Sequence, residues 1–198
     1  RFDELNNVYW SEELRKAGVK VIRPLGGLKV HSKVTQIIRK EEDGTERSYL
    51  HLGTGNYNPS TARQYTDLSL LSSDPVLGAD ISRFFEGLAK GKRPSGFTDL
   101  LVAPVSLKSG MMRMIREETE LARRGDKAHI IAKMNSLVDR EMIRGLYEAS
   151  QAGVKVDLII RGICCLIPGL AGVSANIRVV SVVARFLDGD IPLRGVGE

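Results

Sequence analysis

The sequence predicts an α/β fold. Three observations carry that reading. Short β-branched runs alternate with segments of helical periodicity along most of the chain. At 42% hydrophobic and 27% charged residues, the composition is that of an ordinary globular protein and not of a disordered one. The length, 198 residues, allows one large domain or two small ones.

Each element has its own justification. From Asp3 to Ala17, Leu5, Val8, Tyr9 and Leu14 fall near helical spacing, and Gly18 offers a C-cap. Val19 to Ile22 then reads as a short buried strand. Val30 to Arg39 reads as a second strand, rich in β-branched residues. Asp43-Gly44 marks a hairpin turn, and Ser48 to Leu52 returns as a third strand. Gly53 to Ser60 is a polar loop, and Asp67 to Leu71 another short strand. Pro75 opens a helix whose apolar face is Leu77, Ile81, Phe84, Phe85 and Leu88. Gly91 to Gly96, with Pro94 and no apolar side chain of note, is the linker candidate. Beyond it, Leu100 to Val102 reads as a strand. Met111, Met112, Ile115, Leu121 and Ala122 mark a helix ending at Gly125. Ala128 to Met134 reads as a strand. Asp139 caps a helix carrying Met142, Ile143, Leu146 and Tyr147, and Val154 to Ile160 is a buried strand.

Ala-Gly-Val-Lys-Val occurs twice, within Glu13–Val21 and Glu148–Val156, 135 residues apart. It is either a common helix–glycine–strand joint or the trace of two related α/β domains in tandem. The spacing is too long for a solenoid.

Twenty-nine Lys and Arg against 24 Asp and Glu leave a net charge of +5. That favours an anionic partner, and suits a nucleic acid, a phosphate-rich ligand or an acidic surface equally. Aromatics at 6% are few for a single-strand binder that stacks bases. The two cysteines, Cys164 and Cys165, are neighbours, which excludes a disulfide scaffold and a C-x-x-C zinc site and points to a reducing compartment. No apolar run reaches the length of a membrane-spanning helix. The chain opens at Arg1, directly before a helix-like segment, and reads as a piece of something longer.

Neither G-x-x-x-x-G-K-[ST] nor G-x-G-x-x-G is present. Instead His31-Ser32-Lys33 stands at the start of a strand, and Gly53-Thr54-Gly55-Asn56 follows twenty residues after Lys33. The pair resembles the phospholipase D superfamily signature, H-x-K followed by G-[ST]-x-N. The residue types suit phosphoryl chemistry. A neutral imidazole attacks phosphorus, a Lys two residues on lies on the same side of a strand, and an Asn amide donates to a phosphoryl oxygen or the ring. The Asp that the superfamily carries five residues after the Lys is Ile38 here, which argues against an ordinary phosphodiesterase.

A closer resemblance follows. Arg1–Asn7, Gly27–Lys33, His51–Asn58, Thr61–Ser69 and Arg161–Leu166 with Pro168-Gly169 are similar to the polyphosphate kinase family, in order and over nearly the whole chain. The resemblance implies two tandem phospholipase D-like domains with mixed sheets flanked by helices, each incomplete here. The first would span residues 1–95 and the second 96–198, with further domains upstream. It implies reversible transfer of the γ-phosphoryl group of ATP to polyphosphate through a phosphohistidine at His31, with Lys33 beside it and Asn56 as amide donor. It implies nucleotide contacts at Tyr65 and Arg161, and a Mg²⁺ site at Arg1. A guanidinium is no metal ligand, so Arg1 would act through the phosphates that hold the ion. ATP/ADP and inorganic polyphosphate are the implied partners, nucleic acid is not, and the full-length protein is expected to be a homo-oligomer. A cytoplasmic location follows, with peripheral membrane attachment left open.

One departure stands against the pattern. After Arg185-Phe186-Leu187 the family carries Glu-His, where this chain has Asp188-Gly189. Gly189 replaces a second histidine taken to assist proton transfer, and the tail to Glu198 looks unrelated. The isolated chain is therefore expected to be inactive. Two rival readings remain: a phospholipase D-like phosphodiesterase or nuclease, and an inactive polyanion-binding fragment. The other candidates take structural readings. His51 and His129 read as packed, hydrogen-bonded strand residues, Cys164 and Cys165 as turn residues, and Met111, Met112 and Met114 as core. Arg123-Arg124 reads as a solvated helix end, and Tyr9 and Trp10 as packing.

Overall fold

A computed structural model describes residues 4–22, 26, 29–63, 65 and 67–181. The chain divides into two compact units, Arg1–Leu100 and Leu101–Glu198.

The first unit carries α1 (Glu4–Lys16), β1 (Lys33–Lys40), β2 (Glu46–Gly53), the short α2 (Pro59–Ala62), β3 (Ser69–Ser72) and α3 (Pro75–Ala89). The strands form an antiparallel meander in the order β1-β2-β3. Its first turn closes where Glu41 N–H donates to the Thr45 carbonyl, with Gly44 at φ +84°. One sheet face packs on α3, where Leu50, Ile81 and Phe84 are buried. That seam is partly polar. Gln36 Nε2 on β1 donates to Ser48 Oγ at 3.0 Å and to Ser82 Oγ at 2.9 Å. Strand alternation turns Lys33, Thr35, His51 and Gly53 to the opposite face.

Asp74 caps α3 by accepting the Leu77 N–H at 2.8 Å. Further along α3, Asp80, fully buried, accepts the backbone N–H groups of Thr98, Asp99 and Leu100 at 2.8–3.0 Å. The Gly91–Gly96 stretch is therefore no loose tether: the segment after it is clamped, and Pro94 is buried 2.8 Å from where a Cβ on Gly87 would stand.

The second unit carries α4 (Leu107–Arg123), β4 (His129–Met134), α5 (Arg140–Gln151), β5 (Lys155–Ile160) and β6 (Ile177–Ser181). Its sheet is parallel, in the order β4-β5-β6. The central strand β5 is buried along most of its length, and Val156, Leu158 and Ile160 pack with Ile115 of α4, Leu146 and Ala149 of α5, and Ile177 of β6. Gly145 allows α5 to pack closely on α4, where an added Cβ would meet Met112 at 3.0 Å, and Gly110 of α4 leaves room for Leu101, which an added Cβ would meet at 2.6 Å.

The α/β class with two helix-flanked sheets is what the structure shows, with strand direction divided between the units. Several local expectations are corrected. Val19 to Ile22 forms no strand; both end residues are exposed and no described strand pairs with them. Leu100 to Val102 is not a strand either, because the Val102 carbonyl accepts the Ser106 and Leu107 N–H groups and turns the chain into α4. The second strand starts at Lys33, with Val30 exposed before it. Tyr9 and Trp10 do not pack into a core: they meet each other edge to face at 5.3 Å, both exposed. Met114 is exposed, whereas Met112 does pack against the core. The strand β6 was not expected at all. Among the described residues no helix is long and apolar enough to cross a membrane.

Candidate active site

The H-x-K and GTGN motifs meet because of strand register. Lys33 pairs with Gly53, and Gly53 with Ser69. One pleat past the β2–β3 pairing, Gly55 and Asp67 lie against each other. A Cβ added to Gly55 would stand 2.4 Å from Asp67 Oδ2, so the carboxylate fills the space a side chain would need. Thr54 locks the arrangement. Its N–H donates to the Leu68 carbonyl, its Oγ1 donates to Asp67 Oδ1, and the same Oγ1 accepts the Leu68 N–H, each at 3.0 Å.

Lys33 is half-buried, and its Nζ donates to the His31 carbonyl at 2.7 Å. The motif's cation thus fixes the backbone that carries the imidazole, while His31 itself is exposed. Burial pushes the Lys33 ammonium below its ordinary value, the Asp67 carboxylate opposes that shift, and Lys29 adds to it.

The second half of the loop is tied down as well. Asn56 is exposed and its carbonyl accepts the Asn58 N–H. Asn58 Oδ1 caps α2 by accepting from Ser60 and Thr61. The Tyr57 hydroxyl accepts from Thr35 Oγ1 at 3.0 Å and lies 2.7 Å from His51 Nδ1. His51 is thus a hydrogen-bonded strand residue on the same sheet face as Lys33. Tyr65 is exposed between α2 and Asp67.

Arg161 belongs to the second unit. It follows β5 at the carboxyl end of the parallel strands, where α/β sheets commonly receive ligands. Its N–H donates to the Met134 carbonyl at 3.2 Å. At the other end of that sheet, Asp157 accepts Arg178 Nε and lies on His129 Nε2, both at 2.7 Å. The His129 bond holds the Asp157 carboxyl below its usual range, and Arg178 and Lys155 help it do so against burial. His129 is therefore engaged with a carboxylate. Cys164 is half-buried and Cys165 exposed, both as free thiols.

Lys33 pairs with Gly53, and Asp67 lies against Gly55, with exposed His31 two residues ahead of Lys33, whereas Arg161 lies in the other unit. Arg1 and Gly189 lie outside the described residues, as does the tail from residue 182. Asp67 and Tyr57 were not among the residues the sequence singled out for chemistry. The signal for Asp67 was its register position, which no motif spells out. Among the described residues no group of three or more His, Cys, Asp or Glu side chains could hold a metal ion. Lys33, the Gly53–Asn56 loop and Asp67 offer one ammonium, one side-chain amide and one carboxylate, too few oxygen donors to hold a hard cation without oxygens from a bound ligand.

A family model described as polyphosphate kinase C-terminal domain 1 matches residues 1–94, and one described as polyphosphate kinase C-terminal domain 2 matches residues 100–190. The chain is 50% identical over 188 residues to a polyphosphate kinase of Prosthecochloris aestuarii, covering 95% of this chain and 26% of that protein. To a polyphosphate kinase of Thermosynechococcus vestitus it is 52% identical, with the same 95% and 26% coverage. The crystal structure of polyphosphate kinase from Porphyromonas gingivalis matches with a TM-score of 0.81 and 39% identity, over 95% of this chain and 31% of that one. The chain thus spans about a quarter of the length of the curated relatives it matches.

Proposed function

The chain belongs to the polyphosphate kinase family, and on that premise we propose that it is the phosphoryl-transfer portion of an ATP:polyphosphate phosphotransferase. The observation that supports this reading is the register that pairs Lys33, two residues after His31, with Gly53, the first residue of the GTGN loop. In this reading the chain comprises two tandem phospholipase D-like domains meeting near residue 95.

The imidazole of His31 attacks the γ-phosphorus of ATP, the bond to the bridging oxygen breaks, and ADP leaves with that electron pair. A terminal oxygen of polyphosphate then attacks the phosphohistidine, lengthens the chain by one unit and frees His31. Such transfer asks chiefly for positioning and charge neutralisation. Lys33 supplies a fixed cation and holds the His31 backbone, Asn56 offers amide donors, and Tyr65 and Arg161 hold the nucleotide. Magnesium neutralises phosphate charge when bound, held by the phosphates, with Arg1 as an indirect contact. ATP/ADP and polyphosphate are the partners, and the full-length protein self-associates in the cytoplasm. The 198-residue chain alone is inactive in this reading, because Gly189 can move no proton. The diesterase alternative lacks its acid: position 38 holds an exposed Ile on β1.

The test is phosphoryl labelling of the full-length protein from γ-labelled ATP. Acid-labile, base-stable label is expected on the wild type and none on His31→Ala. Label that persists in that variant and sits on His51 or His129 would overturn the assignment.

A further inference from the structure

Tyr57 is the first residue after the GTGN loop, and its hydroxyl reaches back over the first sheet. Thr35 and His51 are direct cross-strand partners on β1 and β2. The Tyr57 oxygen clasps that pair: it accepts Thr35 Oγ1 at 3.0 Å and lies 2.7 Å from His51 Nδ1. The clasp decides which ring nitrogen carries hydrogen. A phenol keeps its proton at neutral pH and has one to give. Thr35 already donates to the oxygen, so the Tyr57 proton goes to Nδ1. A neutral His51 then carries its own hydrogen on Nε2.

The other side of the ring faces the GTGN loop. A Cβ added to Gly53 would stand 3.1 Å from His51 Cε1 and 3.6 Å from Nε2. The half-buried ring therefore leans over Gly53, where glycine leaves it room. Gly53 pairs with Lys33, and Lys33 and His51 share a sheet face. Among the described residues nothing bonds to His51 Nε2. One nitrogen is thus occupied by a held hydroxyl, and the other is an open N–H at the end of the sheet where the motif lysine stands. The arrangement leaves His51 no lone pair for phosphorus or for a metal ion. It leaves a donor, which suits an anionic oxygen.

We infer that Tyr57 is a positioning residue that acts through His51: backed by Thr35, its hydroxyl holds the ring over Gly53 so that Nε2–H donates to a phosphoryl oxygen at the Lys33 end of the sheet. The choice of phosphate as ligand rests on the proposed function. The donor matters most as charge builds on the transferring phosphoryl oxygens, so its loss is felt in the rate at saturating ATP.

The experiment uses the full-length protein and the variants Tyr57→Phe, Thr35→Val, His51→Ala and the pair Tyr57→Phe with His51→Ala. The rate of phosphoryl labelling of His31 at saturating ATP and the melting temperature are measured for each. His51→Ala removes the donor and is expected to slow labelling roughly a hundredfold. Tyr57→Phe leaves the donor but frees the ring, and should slow labelling roughly tenfold with the melting temperature unchanged. Thr35→Val should do so by less. The pair should be no slower than His51→Ala alone, because Tyr57 has nothing left to position. A pair in which the two losses multiply would mean that Tyr57 acts independently of His51, and overturns the inference. So does a Tyr57→Phe protein that melts lower but labels at the wild-type rate, which is what a structural clasp would give. Should Tyr57→Phe not fold, Thr35→Val with and without His51→Ala decides by the same criteria. Wild-type labelling with an unimpaired His51→Ala sinks the inference alone, whereas absence of label on the wild type sinks the functional reading beneath it.

Discussion

The two copies of Ala-Gly-Val-Lys-Val fold alike for three residues and then part. In the first, the N–H groups of Ala17, Gly18 and Val19 donate to the carbonyls of Glu13, Arg15 and Leu14. In the second, those of Ala152, Gly153 and Val154 donate to the carbonyls of Glu148, Ser150 and Ala149. Gly18 sits at φ +84° and Gly153 at φ +101°, the left-handed geometry of a glycine-capped helix end. Beyond the glycine the fates differ. Val154 is fully buried and leads into β5, which pairs on both edges, whereas Val19 is 46% exposed and the described residues after it, Lys20 to Ile22, form no strand. The helix stop is written in five residues. The strand is not, because a strand is made by what lies beside it.

The largest effect expected from that contrast is a charge at the valine. Val154→Asp places an unpaired carboxylate in a dry core and should cost several kcal/mol, enough to lose the second unit's cooperative unfolding. Val19→Asp should stay within about 0.5 kcal/mol. Thermal unfolding and amide exchange across β5 report the difference. Comparable losses at both positions would mean that Val19 is packed after all, and the contrast would collapse.

The same distinction explains what was legible in the sequence. Helical periodicity, Pro75, Asp139 and Gly125 marked α3, α4 and α5 correctly, because caps and amphipathic faces are local. The β1–β2 hairpin was legible from Asp43-Gly44. Val19–Ile22 and Leu100–Val102 have strand-like sequences and form none, whereas Ile177–Ser181 is a strand, with Ile177 buried beside β5. In the candidate site, His31, Lys33 and Gly53–Asn56 stood out as motifs. Asp67 did not, since its place against Gly55 follows from the β2–β3 register and from no motif.

A middle-sized effect tests the shared joint itself. Alanine in the left-handed region is strained whatever the space around it, and nothing lies within 4 Å of an added Cβ at either glycine. Gly18→Ala and Gly153→Ala should therefore cost similar amounts, about 1 kcal/mol each, despite the difference in burial beyond them. Exchange rates of the last turn of α1 and of α5 would show it. A large cost at Gly153 with none at Gly18 would mean that tertiary packing, and not the local stop, holds the joint.

The smallest expected effect concerns the lysines of the repeat. Lys155 Nζ lies 3.8 Å from Asp157 Oδ2, and Asp157 stands where the first copy has Ile22, so Lys20 has no such acid two residues on. The Asp157 carboxyl is held below its ordinary value by His129 first, with Arg178 and Lys155 contributing against burial. A carboxyl lowered in the folded state binds its proton more readily when unfolded. Its stabilising contribution is therefore fully present above the unfolded value near 3.8 and is lost as pH falls through the lower folded value. Asp157→Asn should flatten the stability of the second unit across that acid range. Lys155→Gln removes only a partly solvated pair, worth less than about 1 kcal/mol; it raises the folded value, so the loss should be slightly smaller and end at slightly higher pH. High salt should shrink that difference, because the Lys155 ammonium is exposed to screening. Lys20→Gln should leave the acid profile unchanged. The measurement is unfolding of the three variants and the wild type between pH 5 and the acid limit, at low and high salt. Equal acid shifts for Lys20→Gln and Lys155→Gln would show a general charge effect, and the local pairing at Asp157 would no longer distinguish the two copies.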